Sequence, residues 1–572
     1  MRRRFARRTA SARSDILTAA AVKSRLTLAS LIAFSLTTGG SACTFIVDSN
    51  GDQCSSSTDC AAKGPAFAGL VCTERRVCER VPCTSNDECI ARNGGEPSIC
   101  RQVDRVCAKL FSEDCKAFLG DPTDLHDDNT VWFGTLLPII GDDASTGIPN
   151  QNGIELARRD FKVAANGLPP LSAAGKRRPI AFVSCNDAAD AERAARHLVN
   201  DVKVPAIIGP AFSGITIKVA TNVTIPGGVL IISGSATSPY ITKLDDKGLV
   251  WRTAPPDTVQ SVAIGLLLSS KVEPDLRDTT TGVLKGSDQL RLAVANKGDA
   301  YGTGLAGALG EKLQFNGKSA TANGSNYLQS DYGDPGDPAN TKPDEKYAAT
   351  VKAILAFKPH VIIIAGTGEG VTKIFDPIEK GWAATGASYK PRWMLADGGQ
   401  VPELWKLVDS NNELRKRILG TVPGTTSPLY DAFALRYKST FTDGTAPDQY
   451  TAAFYDATYV LVYATAFNGT KPLTGQNLNE SLKHLVPPGV AIDVGQAGIS
   501  AAFTTLGQGK NIDYTGASGP LDFDTATGEA ESDIQIWCVA ADGSTGKAIG
   551  FANSSAFYNA TTHKLQGAVS CP

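Results

Sequence analysis

The chain has 572 residues, 42% of them hydrophobic, enough for a sizeable core and too long for one ordinary domain. Its 56 Lys and Arg against 58 Asp and Glu leave a net charge of −2, which removes the electrostatic case for nucleic acid. Five scattered histidines argue against a histidine-based metal site.

The N-terminus reads as an export signal. Arg2, Arg3, Arg4, Arg7 and Arg8 open a basic stretch, and Leu26–Leu36 adds an apolar segment too short to span a bilayer. The following "TTGGSAC" ends at Cys43 like a lipoprotein cleavage and acylation site. Gly40 departs from the branched apolar residue usual there, and ordinary cleavage nearby is the alternative. "RRRF" resembles a twin-arginine signal but lies far from the apolar run. No later segment offers about 20 uninterrupted apolar residues, so the expectation is an exported protein, periplasmic or anchored at the outer membrane by lipid alone.

Ten of the 13 cysteines lie between Cys43 and Cys115, and their spacing repeats. Cys54, Cys60, Cys72 and Cys78 are followed by Cys83, Cys89, Cys100 and Cys107, the same ladder shifted by about 29 positions. Flanking residues echo it: "CSSSTDC" answers "CTSNDEC". Disulfides staple segments too polar to build a core in oxidising compartments. Zinc is the rival reading, but CxxC pairs are absent and no metal is expected. Eight cysteines allow about 105 pairings, so connectivity stays open.

From Val131 onward strand and helix alternate. "VWFGTLLPI" (131–139) predicts a strand, and Ile154, Ala157, Phe161 and Ala164 form one face of an amphipathic helix. "PIAFVS" (179–184) predicts a second strand, then a helix through Ala191, Ala194, Leu198 and Val202. "PAIIGP" and "GVLIIS" add strands with a helix from Ser213 between them. The pattern continues through "LRLAVAN" (290–296), a helix from Tyr301, "HVIIIAG" (360–366), a helix from Gly370 and "RWMLAD" (392–397). Continuous apolar strands between helices imply parallel sheets covered on both faces. About 440 residues of this exceed one sheet domain, so two lobes are expected. Residues 316–346, rich in Gly, Asn, Asp, Ser and Pro, read as a long loop.

Ligands of open parallel sheets bind beyond the carboxyl ends of the strands. "VLIISGSATSP" (229–239) and "AIIGPAFSGIT" (206–216) are two such ends, whose small residues let backbone approach a ligand. The helix from Ser213 would aim unpaired N–H groups at the same crevice, an anion site without a lysine.

At these residues the chain resembles the periplasmic amino-acid-binding proteins of the leucine/isoleucine/valine type, the type I substrate-binding subunits of ABC importers. The resemblance spans about residues 130–545. Nine segments occur in family order: "GTLLPIIGDDASTG", "NGIELARRDF", "VPAIIGPAFSGIT", "VLIISGSATSP", "VWRTAPPDTVQ", "NKGDAYGTGLA", "KPHVIIIAG", "YDATYVLVYA" and "GPLDFDTATG". It implies an α/β fold of two doubly wound parallel-sheet lobes joined by hinge strands, preceded here by a disulfide-rich region. Expected boundaries are 1–42 for the signal, 43–125 for the cysteine repeats, 130–256 with 423–505 for lobe one, and 257–422 with 506–572 for lobe two.

The resemblance also implies a site. Ser213 and Thr237, with backbone at Ser235 and Ala236, match positions that hold a ligand's α-carboxylate. Tyr301 matches the second lobe's tyrosine, and Asp397 an acidic residue that holds the α-ammonium. Thr146 and Thr367 match side-chain contacts on the two walls. Buried unpaired charge costs several kcal/mol, so a zwitterion needs both ends met. Asp397 is shorter than the glutamate of some relatives. Phe212 stands where certain members carry a cysteine, leaving Cys185 to pair with Cys115, while Cys538 and Cys571 clip the C-terminal tail. Asp257, in "RTAPPDTVQ", reads as an N-terminal helix charge.

The implied function is capture of a small zwitterion, an amino acid or related carboxylate or amide, by lobe closure and delivery to an ABC permease, with no cofactor and no catalysis. The alternative is a ligand sensor or surface-interaction protein using the same trap, motivated by the cysteine repeats. "GTGEGV" lacks the spacing of a dinucleotide loop, and no GxxxxGK[ST], GxSxG or HExxH string occurs, which disfavours nucleotide binding and hydrolysis.

Overall fold

The computed structural model describes residues 52–571, except 65, 66, 68, 69, 142, 425 and 426. The expected signal and the acylation site at Cys43 lie outside these residues. Among the described residues no helix is long and apolar enough to cross a membrane.

Two eight-stranded, mainly parallel sheets organise the α/β body. The first runs Phe523–Asp524, Glu529–Ala530, Val250–Arg252, Leu230–Ser233, Ala206–Ile208, Val131–Leu137, Ile180–Asn186 and Cys115–Leu119. The second runs Tyr327–Asp331, Leu292–Asn296, Val361–Ala365, Arg392–Leu395, Ile418–Pro423, Ile534–Ala541, Ala548–Asn559 and Lys564–Gln566. Central strands such as Val361–Ala365 are buried at every residue, as apolar runs between two helical layers must be. One face of the first sheet packs on Ala144–Ala165 and Thr451–Asn468, where Phe161, Tyr459 and Tyr463 interlock.

The chain passes between the sheets at residues 252–257, 423–428 and 530–534. These crossings correct the boundary expected at residue 506. Ile512–Thr515, Phe523–Asp524 and Glu529–Ala530 belong with lobe one, and lobe two takes the chain up again at Ile534. The expected loop at 316–346 also needs correction. It contains the strand Tyr327–Asp331, paired parallel over five residues with Leu292–Asn296, and the start of the helix Pro343–Phe357. That strand is a half-exposed edge, so its polar sequence carries no apolar run to betray it.

All eight repeat cysteines are paired, and both ladders use one connectivity: Cys54–Cys72 with Cys60–Cys78, and Cys83–Cys100 with Cys89–Cys107. Cys115 pairs with Cys185, and Cys538 with Cys571. The cysteine-rich region does not end clear of the body. Cys115–Leu119 joins the first sheet antiparallel to Ile180–Asn186, and Ile99, Ala108 and Leu110 enter that lobe's core. Arg101 donates to the Asp201 carbonyl at 2.6 Å, and His197 Nε2 lies 3.0 Å from the Leu110 carbonyl oxygen.

Candidate functional site

The C-terminal ends of both sheets face each other. From lobe one, the strand Leu230–Ser233 runs into the hydroxyl-rich turn, where Ser233 Oγ donates to the Pro210 carbonyl at 2.6 Å. Ser233 Oγ also accepts from the amides of Ser235 at 3.4 Å and Ala236 at 3.1 Å. Ser235 Oγ donates to the Ala211 carbonyl at 2.8 Å. Ser213, first residue of the helix Ser213–Val219, is buried and accepts from the Ser238 amide at 3.1 Å. The hydroxyls of "SGSATSP" therefore tie two strand-end loops together, and in this closed arrangement the amides of Ser235 and Ala236 turn onto Ser233. The lobes touch directly, Ser238 Oγ donating to the Ala300 carbonyl at 2.6 Å.

From lobe two, the strand Arg392–Leu395 ends one residue before the short turn Asp397–Gly399, and Asp397 is 3% exposed. Tyr301 donates its hydroxyl to Asp397 Oδ1 at 2.9 Å and accepts from the Gly398 amide at 3.3 Å. Tyr450, at the start of the helix Thr451–Asn468 in lobe one, donates to Asp397 Oδ2. Gln449 of the same loop reaches the Asp397 carbonyl at 3.4 Å. Asp397 is thus held from both lobes. Each carboxylate oxygen keeps a further lone pair for another donor.

Asp257 stands at a helix N-terminus as expected and also completes the cluster. It opens the helix Asp257–Leu267 at a lobe crossing, is 0% exposed, and donates its amide to the Thr237 carbonyl at 2.9 Å. No well-formed hydrogen bond reaches its carboxylate oxygens among the described residues; the Thr237 hydroxyl lies beside them, outside ideal geometry. Burial, with the Asp397 charge next, pushes Asp257 well above the usual carboxylate range, while the Thr237 hydroxyl and Arg252 offset part of the rise. Asp397 is also raised by burial, with Tyr450, Tyr301 and Gln260 opposing it. Burial likewise drives both phenols upward, so they stay protonated donors at neutral pH. Arg252 pairs with Glu529, and among the described residues no Lys, Arg or His forms an ion pair with Asp257 or Asp397.

Thr367 stands at this wall, its methyl carbon 3.2 Å from where a Cβ on Gly398 would lie, but its hydroxyl donates to Glu369. Thr146, half-buried in the first turn of Ala144–Ala165, takes part in none of these contacts. Ser213, Thr237, Tyr301 and Asp397 come together in one cleft, where Asp257 and Tyr450 join them. Asp257 was legible only as a helix start, although strand-end reasoning applies to "RTAPPDTVQ", which follows Val250–Arg252; Tyr450 follows a helix and a loop, so no strand end pointed to it.

A family model described as periplasmic binding protein matches residues 130–544. The chain belongs to this family. It is 27% identical over 246 residues to the Leu/Ile/Val-binding protein BraC3 of Rhizobium johnstonii, a match covering 42% of this chain and 55% of that relative, so it spans about half the relative's length. The fold is similar to that of the leucine-binding protein LivK from Thermotoga maritima, with TM-score 0.54, 18% identity, and 76% of this chain and 100% of that one covered. A solute-binding protein of an ABC transporter from Rhodopseudomonas palustris, in complex with 3,4-dihydroxybenzoic acid, gives TM-score 0.50 at 18% identity over 76% and 98%. These relatives are solute-binding proteins, and the fold with its two α/β sheets is theirs.

Proposed function

We propose that this protein is an exported solute-binding protein that closes its lobes on an amino acid or related small ammonium-bearing ligand and passes it to an ABC permease. One observation carries the reading: two carboxylates, Asp257 and Asp397, share a buried cleft with two phenols and no paired cation. Buried like charges repel, and a guest's ammonium group relieves both at once. Ser213 and Thr237, both buried in the strand-end loops of lobe one, support a polar group such as a carboxylate or amide on the guest. Contacts from opposite lobes favour closure by their differential energy alone.

The dihydroxybenzoate-bound neighbour raises a purely anionic guest as a rival. Such a guest would add negative charge to a cleft already short of cations, so an amine is favoured. Lipid attachment at Cys43, preceded by small residues, would be its membrane contact.

The test is a thermal-shift and calorimetric screen of amino acids, their amides and simple carboxylates. Ligand at 100 times its dissociation constant is expected to add about 2.7 kcal/mol of stability. Asp397→Ala is expected to weaken any ammonium ligand at least 100-fold, about 2.7 kcal/mol, with the fold intact. A screen in which only acids lacking an amine bind sinks the ammonium assignment. A second reading, sensing without transport, draws on the disulfide ladders fused to lobe one; unchanged uptake of the ligand in cells lacking the chain would favour it.

A further inference from the structure

A cavity of about 590 Å³ lies between the second cysteine repeat and the underside of lobe one. Its walls include Val131 and Trp132, at the start of their strand, and Pro205, just before Ala206–Ile208. These are the amino ends of the first sheet, whereas the cleft with Asp397 and Thr237 sits at carboxyl ends. The volume falls within the range of about 300–1,000 Å³ typical of small-molecule sites.

The lining is strongly one-sided in charge. Arg101, Arg105, Arg178, Lys203 and Lys471 contribute five cations, and Asp128 one carboxylate. Two of the cations are already met, since Arg101 and Lys203 both pair with Asp104, at 2.7 and 2.8 Å. Asp128 accepts from the Asn86 amide at 2.6 Å. Arg105, Arg178 and Lys471 have no ion-pair partner among the described residues; Arg178 donates one N–H to the Pro169 carbonyl at 3.0 Å. Between the charges, Ile99, Val131, Val202 and Leu473 are apolar.

We propose that this cavity is a second ligand site, separate from the cleft, for a small organic acid with one carboxylate on an apolar or aromatic body. The carboxylate sits among Arg105, Arg178 and Lys471, while the apolar body lies against Val131 and Leu473. Inorganic anions lack the body, and neutral analogues lack the charge that three unpaired cations select. The cysteine repeat supplies one wall of this site.

The test is calorimetric titration of the full chain with benzoate and with benzamide. Benzoate is expected to bind and benzamide to bind at least about tenfold more weakly, since a hydrogen bond to a charged group is worth about 1.5–3 kcal/mol. Arg105→Gln with Lys471→Gln, both at exposed positions, should weaken benzoate about tenfold or more with the near-ultraviolet circular dichroism unchanged. Absence of benzoate binding, equal affinity for benzamide, or binding indifferent to the double substitution would each overturn the proposal, the last by placing benzoate elsewhere.

Discussion

Asp160, on the far side of lobe one, and Asp257, in the cleft, are both fully buried, yet their surroundings are opposite. Asp160 receives the Arg436 guanidinium, the hydroxyls of Tyr455 at 2.6 Å and Tyr459 at 2.9 Å, and the Gln496 amide at 3.0 Å. Asp257 has the Thr237 hydroxyl beside it but no well-formed hydrogen bond on either oxygen, and it faces a second carboxylate. Asp456 belongs with Asp160: Ser518, Tyr514 and the Ala517 amide all donate to it. A buried charge saturated by its own chain holds elements together. On the proposed reading, one left short between the lobes is where a guest's opposite charge is met.

Three changes test that contrast. The largest effect is expected from Asp160→Ala, a loss of about 3 kcal/mol in urea unfolding, the low end for a broken buried pair because the Arg436 side chain is one-third exposed and can reach water. A loss below about 1 kcal/mol, the range of surface pairs, would erase the distinction.

Next is the pH dependence. Burial pushes Asp448 up to about 6, and burial with the neighbouring Asp143 charge pushes Asp187 up to about 7. A carboxyl raised in the folded state keeps a proton that the unfolded chain has released, so stability is expected to fall as pH climbs from about 4 to about 7. Both Asp187 oxygens lack partners, and Asp187→Asn should flatten the upper part of that fall, adding about 2 kcal/mol at pH 7. Denaturant midpoints measured across this window decide it; stability that rises with pH would contradict it.

The smallest effect is Asp257→Asn, which removes mutual repulsion and should stabilise the ligand-free protein by about 1 kcal/mol at neutral pH while weakening ligand binding. Destabilisation on the scale of Asp160→Ala would make Asp257 a structural residue like the others.

Much of the architecture was readable from the chain because parallel strands buried on both faces leave uninterrupted apolar runs, such as "VIIIA" at 361–365. Edges were not: Tyr327–Asp331 is half-exposed and polar, and Phe523–Asp524 is two residues long. The cleft was legible where a strand end met small hydroxyls or a family motif, as at Ser213, Thr237, Tyr301 and Asp397. Asp257 and Tyr450 escaped because their roles depend on which lobe faces them, a fact of tertiary closure that local sequence does not carry. The disulfide pairing shows the same division: the ladders announced themselves by spacing, their connectivity only in three dimensions.

The strand Cys115–Leu119, laced into the first sheet and fastened by Cys115–Cys185, has a mechanical consequence. The second cysteine repeat and lobe one are one mechanical unit, so a partner that grips the repeat would also grip the half that carries Thr237 and Tyr450. On the proposed reading, it would leave the half with Asp397 and Tyr301 free to turn against it.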